Sequence, residues 1–329
     1  MYAWQATTLG EPEQALSLSE LPTPEPGPGQ VLVRVRATAL NFPDVLLCRG
    51  QYQIRLEPPF TPGVELCGEI VGLGVGVDER LLGSRVVGNP VLPHGALAEY
   101  TLMTAAEAYP APESLDDAEA SALHIAYQTG WFALHRRAHL REGETVLVHA
   151  AAGGVGSAAV QLAKAAGARV IGVVGGEAKA RVAEELGADL VIDRKTEDFV
   201  KAIKTYTDGR GVDVVFDPVG GDAYTGSAKC IAFEGRIVVV GFAGGTIPAP
   251  PLNHALVKNY SILGLHWGLY KQLDPGSVWA AHEALVKLAD EGGLRPLISE
   301  RLPVKQAVEG LTALGAGTTT GRVVVVAGA

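Results

Sequence analysis

The segment Ala150-Ala151-Ala152-Gly153-Gly154-Val155-Gly156 constrains this chain more than any other. It joins a short apolar run, Thr145 to His149, to a stretch carrying Val155, Ala158, Ala159, Leu162 and Ala163 at helical spacing. A strand that turns through small residues into a helix lets the backbone approach a pyrophosphate, whose charge then rests at the helix N-terminus. Alanine replaces the first glycine of G-x-G-x-x-G, leaving A-x-x-G-x-x-G. Such a turn also occurs for packing alone, so the weight falls on its surroundings.

Those surroundings alternate. The strand-like runs RVIGVV, DLVI, VDVVFD and RIVVVGF are interleaved with helix-like VGSAAVQLAKAAG, AKARVAEELG and EDFVKAIKTYT. Each is closed by glycine or a turn, the pattern of a parallel doubly wound sheet with right-handed crossovers. Before residue 123 the period is different. After the connector PTPEPGPGQ, VLVRVRA alternates Val31, Val33 and Val35 with polar neighbours, and GEIVGLGVGV, GSRVVG and ALAEYTLM continue the pattern, predicting a mostly antiparallel β domain. From about residue 267 the chain holds one long helix, SVWAAHEALVKLADEGG, a shorter one near VKQAVEGLTALG and a last strand, RVVVVA. These are too few for a third core, so the tail is expected to rejoin the first domain. The predicted domains are 1–122 plus 267–329, and 123–266 as an insertion.

The 329 residues carry 27 Lys plus Arg against 36 Asp plus Glu, a net charge of −9, and the bases are scattered. A nucleic-acid partner is therefore not expected. No basic start leads an apolar stretch, and no run approaches a membrane span, so a cytoplasmic protein without membrane attachment is expected. Cys48, Cys67 and Cys230 are odd in number, far apart and without C-x-x-C spacing, and read as buried thiols.

The strand Arg169 to Val174 ends in Gly175-Gly176, where an NAD site places an acid on the ribose hydroxyls. Two glycines leave room for a 2′-phosphate, which Lys179 can meet with a charge-assisted hydrogen bond, favouring NADPH. Arg194, just past the third strand, is a second cationic candidate; Glu177 is the competing reading, a displaced ribose acceptor.

Beyond this turn, several motifs recur together: Ala39-Leu40-Asn41-Phe42-Pro43-Asp44, Gly50-Gln51-Tyr52, Pro62-Gly63-Val64-Glu65, Asp217-Pro218-Val219-Gly220-Gly221, Val240-Gly241-Phe242 and Thr320-Gly321-Arg322-Val323-Val324-Val325. With them the chain resembles, over essentially its full length, the zinc-free quinone oxidoreductases, the zeta-crystallin branch of the medium-chain dehydrogenase/reductase superfamily. The resemblance implies an α/β fold in which a Rossmann doubly wound parallel sheet is inserted in a GroES-like, mostly-β catalytic domain, and a homodimer joined through the Rossmann sheets. It implies that Asn41 and Tyr52 lie near the nicotinamide, and that Thr129 and the turn Gly153, Gly154 and Val155 hold pyrophosphate and ribose. It also implies that Lys179 meets the 2′-phosphate, beside Gly175 and Arg194, which the residues themselves point to. Gly241, Phe242 and Gly244 with the Leu265 to Trp267 stretch form the nicotinamide wall, and Arg322 is counted among the cofactor residues. One departure stands out: several members have a tyrosine just after the third strand, where this chain reads Ile192-Asp193-Arg194, and an Asp beside a phosphate is unhelpful.

Zinc-dependent relatives use a Cys, a His-Glu pair and a second Cys or Asp. Here the cysteine near Asn41 is missing and Val64 stands where the histidine belongs. His135 and His139 are spaced to share a helix face but have no third ligand, so no metal is expected. Without one, hydrogen-bond donors must stabilise charge developing on the acceptor oxygen. Tyr52 can donate a bond or a proton, and Asn41 can orient a carbonyl or carboxamide; the competing readings are an aromatic wall and a turn cap. The expected activity is hydride transfer from NADPH to a quinone or other α,β-unsaturated carbonyl. The alternatives are an enoyl-thioester reductase and, in another class, a non-catalytic NADPH-binding protein of crystallin-like or RNA-binding type.

Overall fold

Along Gln30–Ala39, Val31, Val33 and Val35 are buried while Arg34 and Arg36 face out, as a strand with one wet face requires. In the computed structural model, which describes residues 1–327, this strand is the spine of the first of two units. It pairs antiparallel with Leu66–Leu73, with Tyr100–Thr104 and with the C-terminal strand Arg322–Val326. Val324 lies opposite Ala39, so the end of the chain completes a sheet begun near its start. Val31, Val33, Leu66, Ile70, Val86 and Met103 fill the core beside it.

The second unit is a six-stranded, all-parallel sheet in the order Leu190–Asp193, Arg169–Val174, Thr145–His149, Val212–Asp217, Ile231–Val239, Ser261–Gly264. Every residue of Thr145–His149 and of Val212–Asp217 is buried, because helices cover both faces of a parallel sheet. The chain runs outward from Thr145–His149 through two strands, then returns to build the other half. The order therefore reverses between Thr145–His149 and Val212–Asp217, and the crevice beyond their carboxyl ends is where such sheets take ligands.

The units divide at Ile125/Ala126 and at Leu294/Arg295, whereas the sequence places the second boundary at 266/267. The difference is the helix Pro275–Asp290, which belongs to the parallel-sheet unit. Gln128 donates to the Val278 carbonyl at 2.9 Å, and Phe132 packs on Tyr270 with ring centroids 4.3 Å apart. Helical spacing reveals an apolar stripe but not which core receives it. Among the described residues no helix is long and apolar enough to cross a membrane.

Candidate functional site

The glycine-rich turn forms as its sequence demands. Gly153 caps the helix Gly154–Ala165, and a Cβ on Gly156 would stand 2.0 Å from the Ala150 carbonyl oxygen, so only glycine closes this turn. Ala150, in the place of the first glycine, holds the left-handed conformation at φ 50°. Its carbonyl accepts from Gly153 N–H at 2.8 Å. The first N–H groups of the helix have no intrahelical acceptor, which is what a pyrophosphate needs.

Across the reversal point Asp217 ends its strand. Its Oδ1 accepts from the N–H groups of Val219 and Gly220, both at 2.9 Å, shaping the loop 217–221, while Oδ2 is buried without a partner. Burial pushes this carboxyl upward. Gly244 N–H donates to the Val219 carbonyl at 2.9 Å, and Gly241 N–H to that of Asp217 at 3.4 Å, so the loop carrying Phe242 is laced onto the loop after Asp217. Leu265 is tied to Val239 at 3.0 Å, Trp267 is nearly buried, Phe242 is partly exposed, and Thr129 lies in the last turn of His124–Trp131. These expected nicotinamide and ribose contacts thus belong to one unit.

At the other end of the crevice, Gly176 caps the helix Glu177–Glu185 at φ 107°. An ideal Cβ on Gly175 would lie 3.3 Å from Arg194 Nη2 and 3.5 Å from Cζ, so the guanidinium covers the turn where an NAD-type acid would project. Lys179 stands in the first turn of the helix. Burial and the charges of Arg194 and Lys195 hold its ammonium below the usual lysine range. Glu177, the competing ribose acceptor, turns along its own helix to pair with Arg181. Lys195 carried no signal in the sequence, because only the return of the third strand beside Gly176 brings it here.

In the first unit Asn41, Glu65 and Arg322 form a buried polar cluster. Asn41 Nδ2 donates to the Ala39 carbonyl at 3.0 Å and to Glu65 Oε2 at 2.9 Å. Both amide hydrogens are therefore taken, and Asn41 has no donor left for an acceptor oxygen. Arg322 Nη2 donates to Glu65 Oε2 at 2.5 Å, and Ile125 N–H to Oε1 at 2.6 Å. Burial raises the Glu65 carboxyl and Arg322 works against that rise. Arg322, expected among the cofactor residues, has its charge neutralised inside the unit. Asp44, fully buried, accepts from the N–H groups of Asn41, Gly63 and Val64 at 2.8 to 3.0 Å, pinning the helix Phe42–Cys48 to the loop that carries Glu65. Desolvation pushes it up to about 6. Tyr52 packs half-buried on the neighbouring apolar cluster, and burial, then the Asp44 charge, raises its phenol. It is a protonated donor at neutral pH.

His135 and His139 do not share an α-helical face. Phe132–Arg137 is a π-helical turn in which His135 packs tilted against Trp131, and His139 follows it at φ 48°. Among the described residues no three His, Cys, Asp or Glu side chains are grouped to hold a metal ion. The cysteines are buried, with Cys48 and Cys67 pushed up to about 12 and Cys230 to about 11, so none is a ready thiolate.

Residues 27–113 match the alcohol dehydrogenase GroES-like domain, and residues 154–281 match the zinc-binding dehydrogenase domain. A quinone oxidoreductase-like protein 2 homolog of Nematostella vectensis is 38% identical over 297 residues, covering 90% of this chain and 81% of the relative. The chain is a quinone oxidoreductase-type member of the medium-chain dehydrogenase/reductase superfamily. Among solved members of this family, the Escherichia coli quinone oxidoreductase complexed with NADPH superposes with a TM-score of 0.91 at 28% identity, covering 99% of this chain and all (100%) of that one. A 2-haloacrylate reductase superposes with a TM-score of 0.86 at 29% identity, over 100% of both chains. For this family member the fold is the Rossmann sheet and GroES-like domain that its motifs implied.

Proposed function

We propose that this protein is an NADPH-dependent reductase of quinones or other α,β-unsaturated carbonyls that works without a metal. The observation that carries the reading is the adenosine-phosphate end of the crevice: no acid at Gly175-Gly176, with Arg194 laid over it and Lys179 beside it. NADPH supplies the hydride. The chain's own part is to hold the pyrophosphate at the helix start after Gly153, to read the 2′-phosphate, and to offer a proton. Tyr52 is the donor, since both amide hydrogens of Asn41 are taken. NADPH bound by the E. coli relative and the haloacrylate substrate class of the second structure agree with a conjugated acceptor. A steady-state panel of quinones, enones and enoyl thioesters with NADPH and NADH tests this. The expected result is NADPH oxidation by quinones or enones. Turnover confined to enoyl thioesters, or none with any acceptor, overturns it.

A homodimer is part of the same reading. Ser261–Gly264 ends the strand order of the parallel sheet, so one of its edges is open to a further strand. The helix Leu252–Lys258 packs through Ala255 on the same core cluster as Ile262 of that strand, and its Leu252, Leu256 and Val257 are each more than 70% exposed, apolar side chains of the kind that mark an interface. A second copy of this chain fits both features through two-fold pairing. Leu256→Asp should convert the wild-type dimer to monomer in analytical ultracentrifugation; a monomeric wild type sinks the assignment.

A further inference from the structure

Asp193 is the residue that a reader of the sequence holds against a phosphate, and in the structure it does something else. It ends the strand Leu190–Asp193 in register with Val174, so its side chain reaches the Gly175-Gly176 turn. Its Oδ1 accepts from Gly176 N–H at 2.8 Å and from Lys195 N–H at 3.0 Å. One carboxylate oxygen thus ties the turn after the second strand to the turn after the third. Arg194, between the two ties, is itself held by its N–H to the Val174 carbonyl at 3.0 Å. The staple sets two consecutive cations over two consecutive glycines. An ideal Cβ on Gly176 would stand 3.6 Å from Lys195 Nζ, as one on Gly175 would from the Arg194 guanidinium at 3.3 Å. Among the described residues neither Arg194 nor Lys195 has a carboxylate within ion-pair distance.

We propose that Lys195 is a third cation reading the nucleotide's 2′-phosphomonoester, and that Asp193 is the positioning residue that places it there. The inference rests on the NADPH reading above. A phosphomonoester carries roughly −1.5 to −2 charge at neutral pH, enough to satisfy several cations at once. Burial first, then the charges of Arg194 and Lys195, hold the Lys179 ammonium low, and such an anion eases the repulsion among the three cations. Asp193 is turned to the backbone, its own carboxyl held low by those two N–H groups before any side-chain charge. Its negative charge is the cost of the staple.

The two readings of Asp193 differ in sign. If its charge merely opposes the phosphate, both Asp193→Ala and Asp193→Asn tighten NADPH. If it is a staple, Asp193→Ala loosens both turns and weakens NADPH about tenfold, while Asp193→Asn keeps a carbonyl oxygen for the two N–H groups and retains or improves binding. Lys195→Ala should weaken NADPH about tenfold, as expected for one charge-assisted bond, and leave NADH unchanged. Dissociation constants for NADPH and NADH, measured by calorimetry on the full chain with melting temperatures in parallel, give the answer without any turnover. As an independent readout, the phosphorus resonance of bound NADPH should titrate at lower pH in the wild type than in Lys195→Ala. Tighter or unchanged NADPH binding by Asp193→Ala, or equal losses for both cofactors in Lys195→Ala, overturns the inference alone. A wild-type chain that binds NADPH no better than NADH removes the NADPH reading itself, and the inference with it.

Discussion

Asn41 gives one of its two amide hydrogens to Glu65, 2.9 Å away, at a point where both side chains are buried and the guanidinium of Arg322 is bonded to the same carboxylate oxygen. The bond explains why residue 41 is an amide. Asn41→Asp would replace the donor with a second carboxylate against Glu65, and one Arg322 cannot neutralise both. The expected loss is about 3 kcal/mol or more in stability at neutral pH, the scale of an uncompensated buried charge. Urea unfolding measures it, and a loss under about 1 kcal/mol would show that the cluster relaxes freely.

On the proposed reading Tyr52 is the proton donor. Tyr52→Phe should lower kcat by roughly ten- to a thousandfold with little change in NADPH binding, the usual weight of proton donation. The loss should be larger with enones than with quinones, whose hydroquinone product water can protonate. Wild-type kcat on both classes would make Tyr52 a wall.

Gly175 and Arg194 are coupled through contact, since any side chain at Gly175 meets the guanidinium within 3.5 Å. Gly175→Asp should therefore pair with Arg194 and repel a 2′-phosphate. NADPH affinity should fall about ten- to a hundredfold, as when a charge-assisted bond is lost, while NADH affinity holds or rises. Unchanged preference would place the phosphate elsewhere.

Activity should survive strong chelation, and protein purified without chelator should carry well under one zinc per chain by elemental analysis. Val64 stands where a zinc site needs histidine, and the cysteine expected near Asn41 is missing. A zinc retained at full occupancy and required for turnover would contradict the metal-free reading.

His149 gives the parallel-sheet unit an acid-sensitive point. Its Nε2 lies 2.7 Å from Ser227 Oγ, and the Ser227 hydroxyl already donates to the Ala223 carbonyl, so His149 Nε2–H is the donor of the pair. Burial, with Arg194 adding to it, depresses its pKa to about 4 from the ordinary 6.5. The folded state thus binds the proton less readily than the unfolded chain. The contribution is complete above about pH 6.5 and is lost as pH falls toward about 4. Between about pH 7 and 5 the wild type should lose about 2 kcal/mol more stability than His149→Gln. Parallel losses would assign the acid sensitivity to other groups. Asp44, raised to about 6, acts with opposite sign, losing its contribution as pH rises from about 4 through 6.

Local patterns in the sequence were enough to settle the parallel sheet, the glycine-rich turn and the missing ribose acid. Each depends on neighbours along the chain: a period of two or 3.6, a glycine where φ turns positive, a pair of glycines ending a strand. The long helix 275–290 was legible as a helix, yet its place was not, because an apolar stripe fits either core until partners such as Gln128 choose it. The same limit governed the polar residues. Asn41 read as a group orienting a carbonyl or carboxamide, with a turn cap as the competing reading, until Ala39 and Glu65 took its hydrogens. Arg322 read as a cofactor contact until a carboxylate 257 residues away in sequence claimed it. Asp193 read as an obstacle until the register with Val174 turned it onto two backbone N–H groups. A side chain's charge is written in the sequence. What that charge meets is decided by strands that pair across the whole chain, because hydrogen bonds and ion pairs form through a few ångströms of space.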